Sequence, residues 1–496
     1  MIRCTTFAGR RVAVFGLGSS GNASALALIA GGAEVFAWDD GEAGRGSAAR
    51  AGIPLTDLHD ADWSSFSALV LAPGVPLTHP EPHWVVPKAR AAGVEIIGDV
   101  ELFCRERAAT CPTAPFIAIT GTNGKSTTTA LISHLLRSMG KDVQMGGNIG
   151  VPILALEPPA HDSYHVIEMS SFQIDLTPSL APTVGILLNV TPDHLDRHGT
   201  IEDYAAVKAR LVDRAEHAVI GVDDDWCRRI LMKRMQADGD PGYDRSTPIS
   251  VTQHLERGCY LDGTVLSYRG IRHAFHYRDP APDRFVVEVP LEKVRLDGIR
   301  SLRGDHNAQN AAAAYSALRA LHFEQRAIAH HLSTFPGLAH RMEELGFLES
   351  ATGRIPVVND SKATNADSTE KALLSFTGDI HWILGGKPKE GGIESLRPYF
   401  GRIARAYLIG AATEEFAAVL EGNVPFERCG NLEVAAERAA LCARTSAAPG
   451  AIVLLSPACA SFDQFPNFER RGDAFRAIVA RLPGFVPRGG VEKAVP

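Results

Sequence analysis

The stretch Phe116-Ile117-Ala118-Ile119-Thr120-Gly121-Thr122-Asn123-Gly124-Lys125-Ser126-Thr127-Thr128 decides how this chain is to be read. Apolar and β-branched residues run into a glycine-containing turn, and a lysine with a run of hydroxyl residues follows. Ala130, Leu131, Ile132, Leu135 and Leu136 then recur at helical spacing. The order is strand, tight loop, helix. Backbone N–H groups of such a loop and of the helix N-terminus make an anion site. In a phosphate loop of this kind Lys125 reaches the terminal phosphates and the Ser126 hydroxyl sits on Mg²⁺. The spacing is the short G-x-x-G-K-S, since G-x-x-x-x-G-K-[ST] would need glycine where Ile119 stands. The plainer alternative is a glycine turn before an ordinary helix. The strand before it and the hydroxyl run after it argue against that.

Upstream, Arg11-Val12-Ala13-Val14-Phe15 is a short strand, followed by Gly16-Leu17-Gly18-Ser19-Ser20-Gly21 and a helical run through Ile29. Gly31-Gly32 ends that helix, and a strand from Ala33 to Trp38 closes on Asp39-Asp40. Strand, G-x-G-x-x-G, helix, strand and acidic end form the dinucleotide fingerprint. It leaves an NAD-dependent oxidoreductase open. The residues themselves say only that a nucleotide diphosphate can rest at the helix start, with Asp39 near a ribose or base. Two more strands follow, Ala68 to Ala72 and Val94 to Ile97, the first running into the turn Pro73-Gly74-Val75-Pro76. Arg105 to Pro115 is polar with two prolines and reads as a linker, ending a first domain near residue 110.

Downstream of the phosphate loop, Gly146-Gly147-Asn148-Ile149-Gly150 is a loop with one amide side chain. The strand Tyr164-His165-Val166-Ile167-Glu168 delivers Glu168 at its carboxyl end, just before Met169-Ser170-Ser171-Phe172-Gln173. Carboxyl ends of strands face the ligand crevice in α/β sheets. Glu168 is therefore a candidate Mg²⁺ ligand, against the alternative of a solvated strand-end carboxylate. Val184 to Val190 leads into Thr191-Pro192-Asp193-His194-Leu195-Asp196-Arg197-His198, with two histidines and two aspartates within six residues. Tyr204 to Leu211 reads as a helix carrying Lys208. Residues 230–300 suggest a few strands and no motif. An alanine-rich helix opens at Gly304-Asp305-His306-Asn307-Ala308-Gln309-Asn310, where Asn307 and Asn310 share a face. Their amides either meet one ligand or cap the helix.

Phe335-Pro336-Gly337-Leu338 marks a second boundary, after which strands and helices alternate in the manner of a parallel sheet. Polar residues crowd its strand ends at Asp360 to Asn365, Lys387-Pro388-Lys389 and Ser456 to Ser461. The expected fold is α/β in three domains: residues 1–110, 111–337 and 338–496, the last fifteen residues forming a loose tail.

Composition narrows the function. The chain has 496 residues, 45% hydrophobic and 22% charged, with a formal charge of −7. There is no basic footprint for nucleic acid. Eight scattered cysteines (Cys4, Cys104, Cys111, Cys227, Cys259, Cys429, Cys442 and Cys459) include no C-x-x-C pair. They read as reduced thiols of a cytoplasmic protein. No apolar run approaches the roughly 18 residues of a membrane span, and the start lacks the apolar stretch of a signal peptide.

Taken together the motifs resemble the Mur ligases, and within them the branch that adds D-glutamate. The carriers are Gly121 to Thr127, Gly146 to Gly150, Glu168 to Gln173, Asn189 to Arg197, His306 to Asn310, His340-Arg341, Asp360 to Asn365 and Ser456 to Gly472. The D-N-P-R motif of members that add a diamino acid does not occur. The resemblance implies a Rossmann-like first domain for a uridine nucleotide, a central ATP-binding domain and a Rossmann-like third domain for the incoming amino acid. It implies ATP-dependent ligation of D-glutamate to UDP-N-acetylmuramoyl-L-alanine through an acyl phosphate, with two Mg²⁺ ions.

Carried over residue by residue, Lys125, Glu168, His194 and Lys208 would be catalytic. Ser126, Glu168, His194 and a carbamylated Lys208 would hold metal. Gly121, Thr122, Asn123, Gly124, Lys125, Ser126 and Thr127 would cradle ATP, with Asn307, Asn310, Arg341 and Asp360. Ser19, Ser20, Asp39, Gly74 and Asn148 would meet the nucleotide substrate. Lys362, Thr364, Lys389, Ser461 and Phe468 would hold glutamate, with Lys387 an alternative to Lys389. The implied partners are small molecules only, with no nucleic acid and no membrane, and the implied state is a monomer. An oxidoreductase, a non-enzymatic nucleotide-binding module and a sister ligase, including one acting on folate, are the competing readings.

Overall fold

The computed structural model describes residues 1–238, 245–273, 286–288, 290–351, 353–388, 391–446 and 450–488. Its α/β elements fall into two compact units. One comprises Met1–Asp297 with Asn307–Thr334, the other Gly298–His306 with Phe335–Pro496.

The first unit begins with a parallel four-stranded sheet in the order Glu34–Trp38, Arg11–Phe15, Ala68–Leu71, Glu95–Ile97. Val12 to Phe15 and Ala68 to Leu71 are buried throughout, as strands covered on both faces require. At the fingerprint turn a Cβ on Gly21 would lie 1.8 Å from the Gly16 carbonyl oxygen, so only glycine lets the helix Ser19–Ala30 start this close to the strand. The linker expected at Arg105 to Pro115 is corrected: the helix Asp99–Thr110 runs through most of it. Its polar residues are consumed by tertiary partners. Glu106 accepts from the Thr5 N–H (2.7 Å) and hydroxyl (2.8 Å), and Arg105 forks onto Glu95 and also bonds Glu101.

The same unit holds a nine-stranded sheet. Phe116–Thr120 lies inside it, parallel to Ser163–Glu168 on one side and Val184–Leu187 on the other. The register sets Ile119 opposite Glu168 and Thr120 opposite Leu187. Three chain segments therefore leave the sheet at one place: the phosphate loop, the segment after Glu168 and the segment after Leu187. The region with no motif supplies a hairpin, Gly258–Asp262 and Val265–Arg269, joined antiparallel by Glu292–Arg295 at the sheet's edge.

The second unit has a seven-stranded sheet. Five strands are parallel, in the order Phe426–Gly430, Ile403–Ile409, Ile380–Gly385, Ile452–Leu455, Gly353–Asn359. Two antiparallel strands, Glu343–Ser350 and Phe485–Pro487, complete the edge. That last strand corrects the expectation of a loose tail from residue 482 on. Phe485 packs against a buried cluster, and the ladder ties Gly346, Phe347 and Leu348 to Pro487, Val486 and Phe485.

Candidate active site

The helix Lys125–Ser138 begins from Gly124 at φ +85°, a left-handed conformation that glycine adopts without cost. A Cβ there would sit 2.4 Å from Asn310 Oδ1. The turn is therefore as tight as the sequence suggested, and Asn310 is pressed beneath it. Asn310 also accepts from the Thr128 hydroxyl (3.1 Å) and donates to Asn307 Oδ1 (3.2 Å). The two amides do share a face, and both are buried. Lys125 Nζ donates to its own loop carbonyls, Gly121 (2.9 Å) and Thr122 (2.8 Å), and Ser126 is buried at the helix start.

Glu168 comes to this loop through strand pairing: the Met169 N–H donates to the Ile119 carbonyl at 2.8 Å. Its Oε1 accepts from Asn148 Nδ2 at 3.0 Å, and the Asn148 N–H donates to the Glu168 carbonyl at 2.9 Å. Its Oε2 is buried and has no hydrogen-bond partner. A buried carboxylate oxygen left open in this way is what a divalent cation takes up, so Glu168 fits Mg²⁺. Among the described residues no three His, Cys, Asp or Glu side chains are gathered into a metal cluster.

Lys208, on the helix Ile201–Asp213, is 1% exposed. Its Nζ donates to Thr120 Oγ1 (3.2 Å) and to the Gly121 carbonyl (2.9 Å), the oxygen that Lys125 also uses. Burial pushes its pKa well below the ordinary lysine value, and the Lys125 charge lowers it further; Asp193 and Glu168 pull the other way. Read as one lysine among apolar neighbours, it proves to lie against the phosphate loop. His194 follows in the polar segment after the adjacent strand, in a left-handed conformation at φ +53° and half-exposed beside Asp193. Its ring meets Phe172 edge-on at 5.2 Å between centroids. His198, stacked on the same Phe172, is buried and bonds the Ser171 hydroxyl at 2.8 Å.

Of the residues expected to meet the nucleotide substrate, Ser19, Ser20, Asp39 and Gly74 lie at the carboxyl edge of the four-stranded sheet, while Asn148 follows the strand Asp142–Gly147 of the nine-stranded sheet. Ser19 is exposed, whereas the Ser20 hydroxyl donates to Asp99 at 2.6 Å. Asp39 accepts from the Leu17 N–H (2.6 Å) and the Gly41 N–H (2.7 Å), so it shapes the fingerprint turn. Gly74 offers its carbonyl to Arg197, which also bonds the Val75 carbonyl, each at 3.2 Å. Sequence reasoning did not foresee the contacts that Arg197 and Asp99 make with these residues. Asp99, buried and raised above the usual carboxylate range by desolvation, also accepts from Gln173 at 3.3 Å. No local pattern announces either contact, because each joins segments some 75 to 125 residues apart.

In the second unit, Asp360 accepts from the Met342 N–H (3.1 Å) and the Ser456 hydroxyl (2.9 Å), and burial raises it to about 7. Arg341 lies beside it and partly opposes that rise. Lys362 Nζ stands 4.1 Å over the Phe468 ring, bringing two expected glutamate contacts together. Ser461 is buried and Thr364 half-buried, while Lys389 lies outside the described residues. Arg471, not foreseen, is buried with bonds to the Ser361 hydroxyl (3.0 Å) and the Ser361 and Cys459 carbonyls.

Comparison with known proteins is consistent from end to end. Residues 119–318 match the Mur ligase middle domain, and residues 340–459 match the Mur ligase glutamate ligase domain. The UDP-N-acetylmuramoylalanine–D-glutamate ligase of Brucella abortus is 55% identical over 491 residues, covering 99% of this chain and 100% of its own. Among solved structures, the UDP-N-acetylmuramate-alanine ligase MurC from Thermotoga maritima superposes with a TM-score of 0.53 at 18% identity, over 94% of this chain and 98% of its own. The MurF ligase from Thermotoga maritima in complex with ADP gives 0.50 at 17% identity, over 84% of this chain and 96% of its own. The fold is shared with these two, and the sequence of the Brucella enzyme is shared along its whole length: the chain belongs to the Mur ligase family.

Proposed function

We propose that the chain is the ATP-dependent ligase that joins D-glutamate to UDP-N-acetylmuramoyl-L-alanine, a step of peptidoglycan precursor synthesis. One observation carries the mechanism. At the carboxyl ends of adjacent parallel strands stand a phosphate loop, a carboxylate with an open buried oxygen and a lysine driven toward its neutral form.

A free carboxylate is a poor electrophile. In the proposed reaction a carboxylate oxygen of the nucleotide substrate attacks the γ-phosphorus of ATP and ADP leaves. The glutamate amine then attacks the acyl carbon, loses a proton, and phosphate departs as the amide forms. The chain's part is positioning and charge neutralisation around the moving phosphoryl group. The loop Gly121 to Thr127 cradles the phosphates, and Lys125 leaves its carbonyl partners to pair with them. Ser126 and Glu168 would hold one Mg²⁺, and His194 with a carbamylated Lys208 would hold a second. Bound there, Mg²⁺ would neutralise phosphate charge and fix the geometry of transfer. The depressed lysine pKa supports carbamylation, because only the neutral amine captures CO₂.

In the same reading Asn307, Asn310, Arg341 and Asp360 serve ATP. Ser19, Ser20, Asp39, Gly74 and Asn148 serve the nucleotide substrate, and Lys362, Thr364, Lys389, Ser461 and Phe468 serve glutamate. The functional domains are residues 1–110, 111–337 and 338–496. The enzyme is a cytoplasmic monomer, a placement supported by eight cysteines none of which is in a disulfide.

Release of ADP with UDP-N-acetylmuramoyl-L-alanine and each of several amino acids tests the reading. D-Glutamate should be strongly preferred, and equal turnover with L-glutamate or a diamino acid would defeat it. Calorimetric titration separates it from the oxidoreductase. The UDP substrate should bind and NAD(H) should not, despite the fingerprint at Gly16 to Gly21.

A further inference from the structure

Beneath the phosphate loop runs a file of polar side chains that all point one way. The Asn123 N–H donates to Asn189 Oδ1 at 2.9 Å, and Asn189 Nδ2 donates back to the Asn123 carbonyl at 3.3 Å and on to Gln309 Oε1 at 3.0 Å. Gln309 Nε2 donates to Asp223 Oδ2 at 3.3 Å. Asp223 also accepts from the Val251 N–H (3.0 Å) and from the hydroxyls of Ser250 and Thr252 (2.5 and 2.7 Å). Gln309 is buried, and Asn189 and Asp223 are partly so.

An amide side chain can be turned over, exchanging its oxygen for its NH₂. At each end of this file that freedom is removed. A backbone N–H can only donate, so Asn189 must present its oxygen to Asn123. An ionised carboxylate can only accept, so Gln309 must present its NH₂ to Asp223. The two demands agree, and every link between them is a donor facing an acceptor.

We propose that Gln309, oriented by Asp223, is a positioning residue for ATP. It fixes the Asn189 amide that brackets the backbone of Asn123, and so holds the phosphate loop in the shape that leaves the N–H groups following Gly124 for phosphate. Gln309 touches no substrate in this role, and it rests on the loop being the ATP site, as read above. Residues 189, 223 and 309 come from three separate segments, each leaving the sheet or opening a helix at its carboxyl edge. The file belongs to the folded sheet and to no local motif.

The test reverses the polarity of one link. Gln309→Glu keeps the size but sets a second carboxylate against Asp223 and offers it no donor. Michaelis constants for ATP, the UDP substrate and D-glutamate are measured for Gln309→Glu and Asp223→Asn, with melting temperatures. The KM for ATP should rise about tenfold in Gln309→Glu, the worth of one charge-assisted bond, while those for the other substrates stay within about twofold. Asp223→Asn alone should be mild, because its amide can turn its oxygen to Gln309 and its NH₂ to the two hydroxyls.

Gln309→Met provides a readout independent of turnover. Backbone amide exchange of the peptide spanning residues 121–124 should quicken about fivefold or more, with other protected peptides unchanged. An unaltered KM for ATP in Gln309→Glu, a parallel rise in all three constants that follows the melting temperature, or unchanged exchange in Gln309→Met would each overturn the proposal. Lys125→Ala is run alongside. If that variant keeps normal ATP use, the ATP-site reading itself fails, whatever Gln309 does.

Discussion

Replacing Lys208 separates stability from catalysis. In Lys208→Met the apolar stem is retained and two hydrogen bonds disappear, those to Thr120 Oγ1 and the Gly121 carbonyl. Their loss costs about 1 kcal/mol each, and the Gly121 carbonyl keeps Lys125 as a donor. Against this stands the penalty for burying an amine that water would protonate, about 1.4 kcal/mol for each unit by which the native pKa is lowered. The shift is downward, so relief of charge burial offsets part of the hydrogen-bond loss at neutral pH.

The sign of the pH dependence follows from the same shift. Between the depressed native pKa and the unfolded value of 10.5 the unfolded chain holds the extra proton. Wild-type stability, measured without metal in CO₂-depleted buffer, should therefore rise with pH across that window. The Lys208→Met variant should lack this slope, so that offset shrinks as pH 10.5 is approached.

Without the carbamate oxygens turnover should fall on the order of 10²–10³-fold, as for loss of one preorganised electrostatic contact. In Lys208→Ala the vacated space admits a small carboxylate, and formate or acetate should restore part of the rate. Urea unfolding from pH 7 to 10 and ADP release with and without formate are the assays. Near wild-type turnover of Lys208→Ala in CO₂-depleted buffer would refute the bridging role. A stability loss in Lys208→Met beyond about 3 kcal/mol would refute the balance of hydrogen bonds against charge burial.

Lys125→Ala should abolish ADP release while leaving the urea midpoint near wild type, and formate should not rescue it, because the missing group is a cation. Gly124→Ala should cost roughly 3–4 kcal/mol: about 1–2 for a side chain at φ +85° and about 1 for each Asn310 bond displaced by the intruding Cβ; a urea midpoint within error of wild type would contradict the close approach. Asp360 is raised from 3.8 to about 7 by burial, so the native state holds its proton more tightly and stability contributed there falls as pH climbs from about 4 to 7. Asp360→Asn should flatten that part of the stability profile, read as melting temperature against pH.

Much of this protein is written in short stretches. A run of apolar residues ending in Gly-x-x-Gly-Lys-Ser favours a strand, a turn and a helix by itself, because glycine takes the left-handed turn at least cost and the helix start offers free N–H groups. The fingerprint at Gly16 to Gly21 is equally local, which is why it could indicate a nucleotide site without choosing between NAD and a uridine nucleotide. The polar stretch from Arg105 misled because its charges have partners elsewhere: Glu106 is capped by Thr5, about 100 residues earlier.

What only the tertiary structure decided are the properties that depend on which strands are neighbours. Glu168 acquires an open buried oxygen because its strand pairs with Phe116–Thr120. In its own sequence context Lys208 is one lysine on a helix. Packing against Thr120 and Gly121 strips its water and sets the Lys125 charge beside it, and those two effects lower its pKa. Likewise Asn189, Gln309 and Asp223 carry no common motif, and the direction of their hydrogen bonds exists only once three distant segments meet at one edge of the sheet. A local pattern fixes backbone conformation through sterics over a few residues. Desolvation and the pairing of buried polar groups depend on every element packed around them, so the ordering of the loop and the charge state of its lysine belong to the fold.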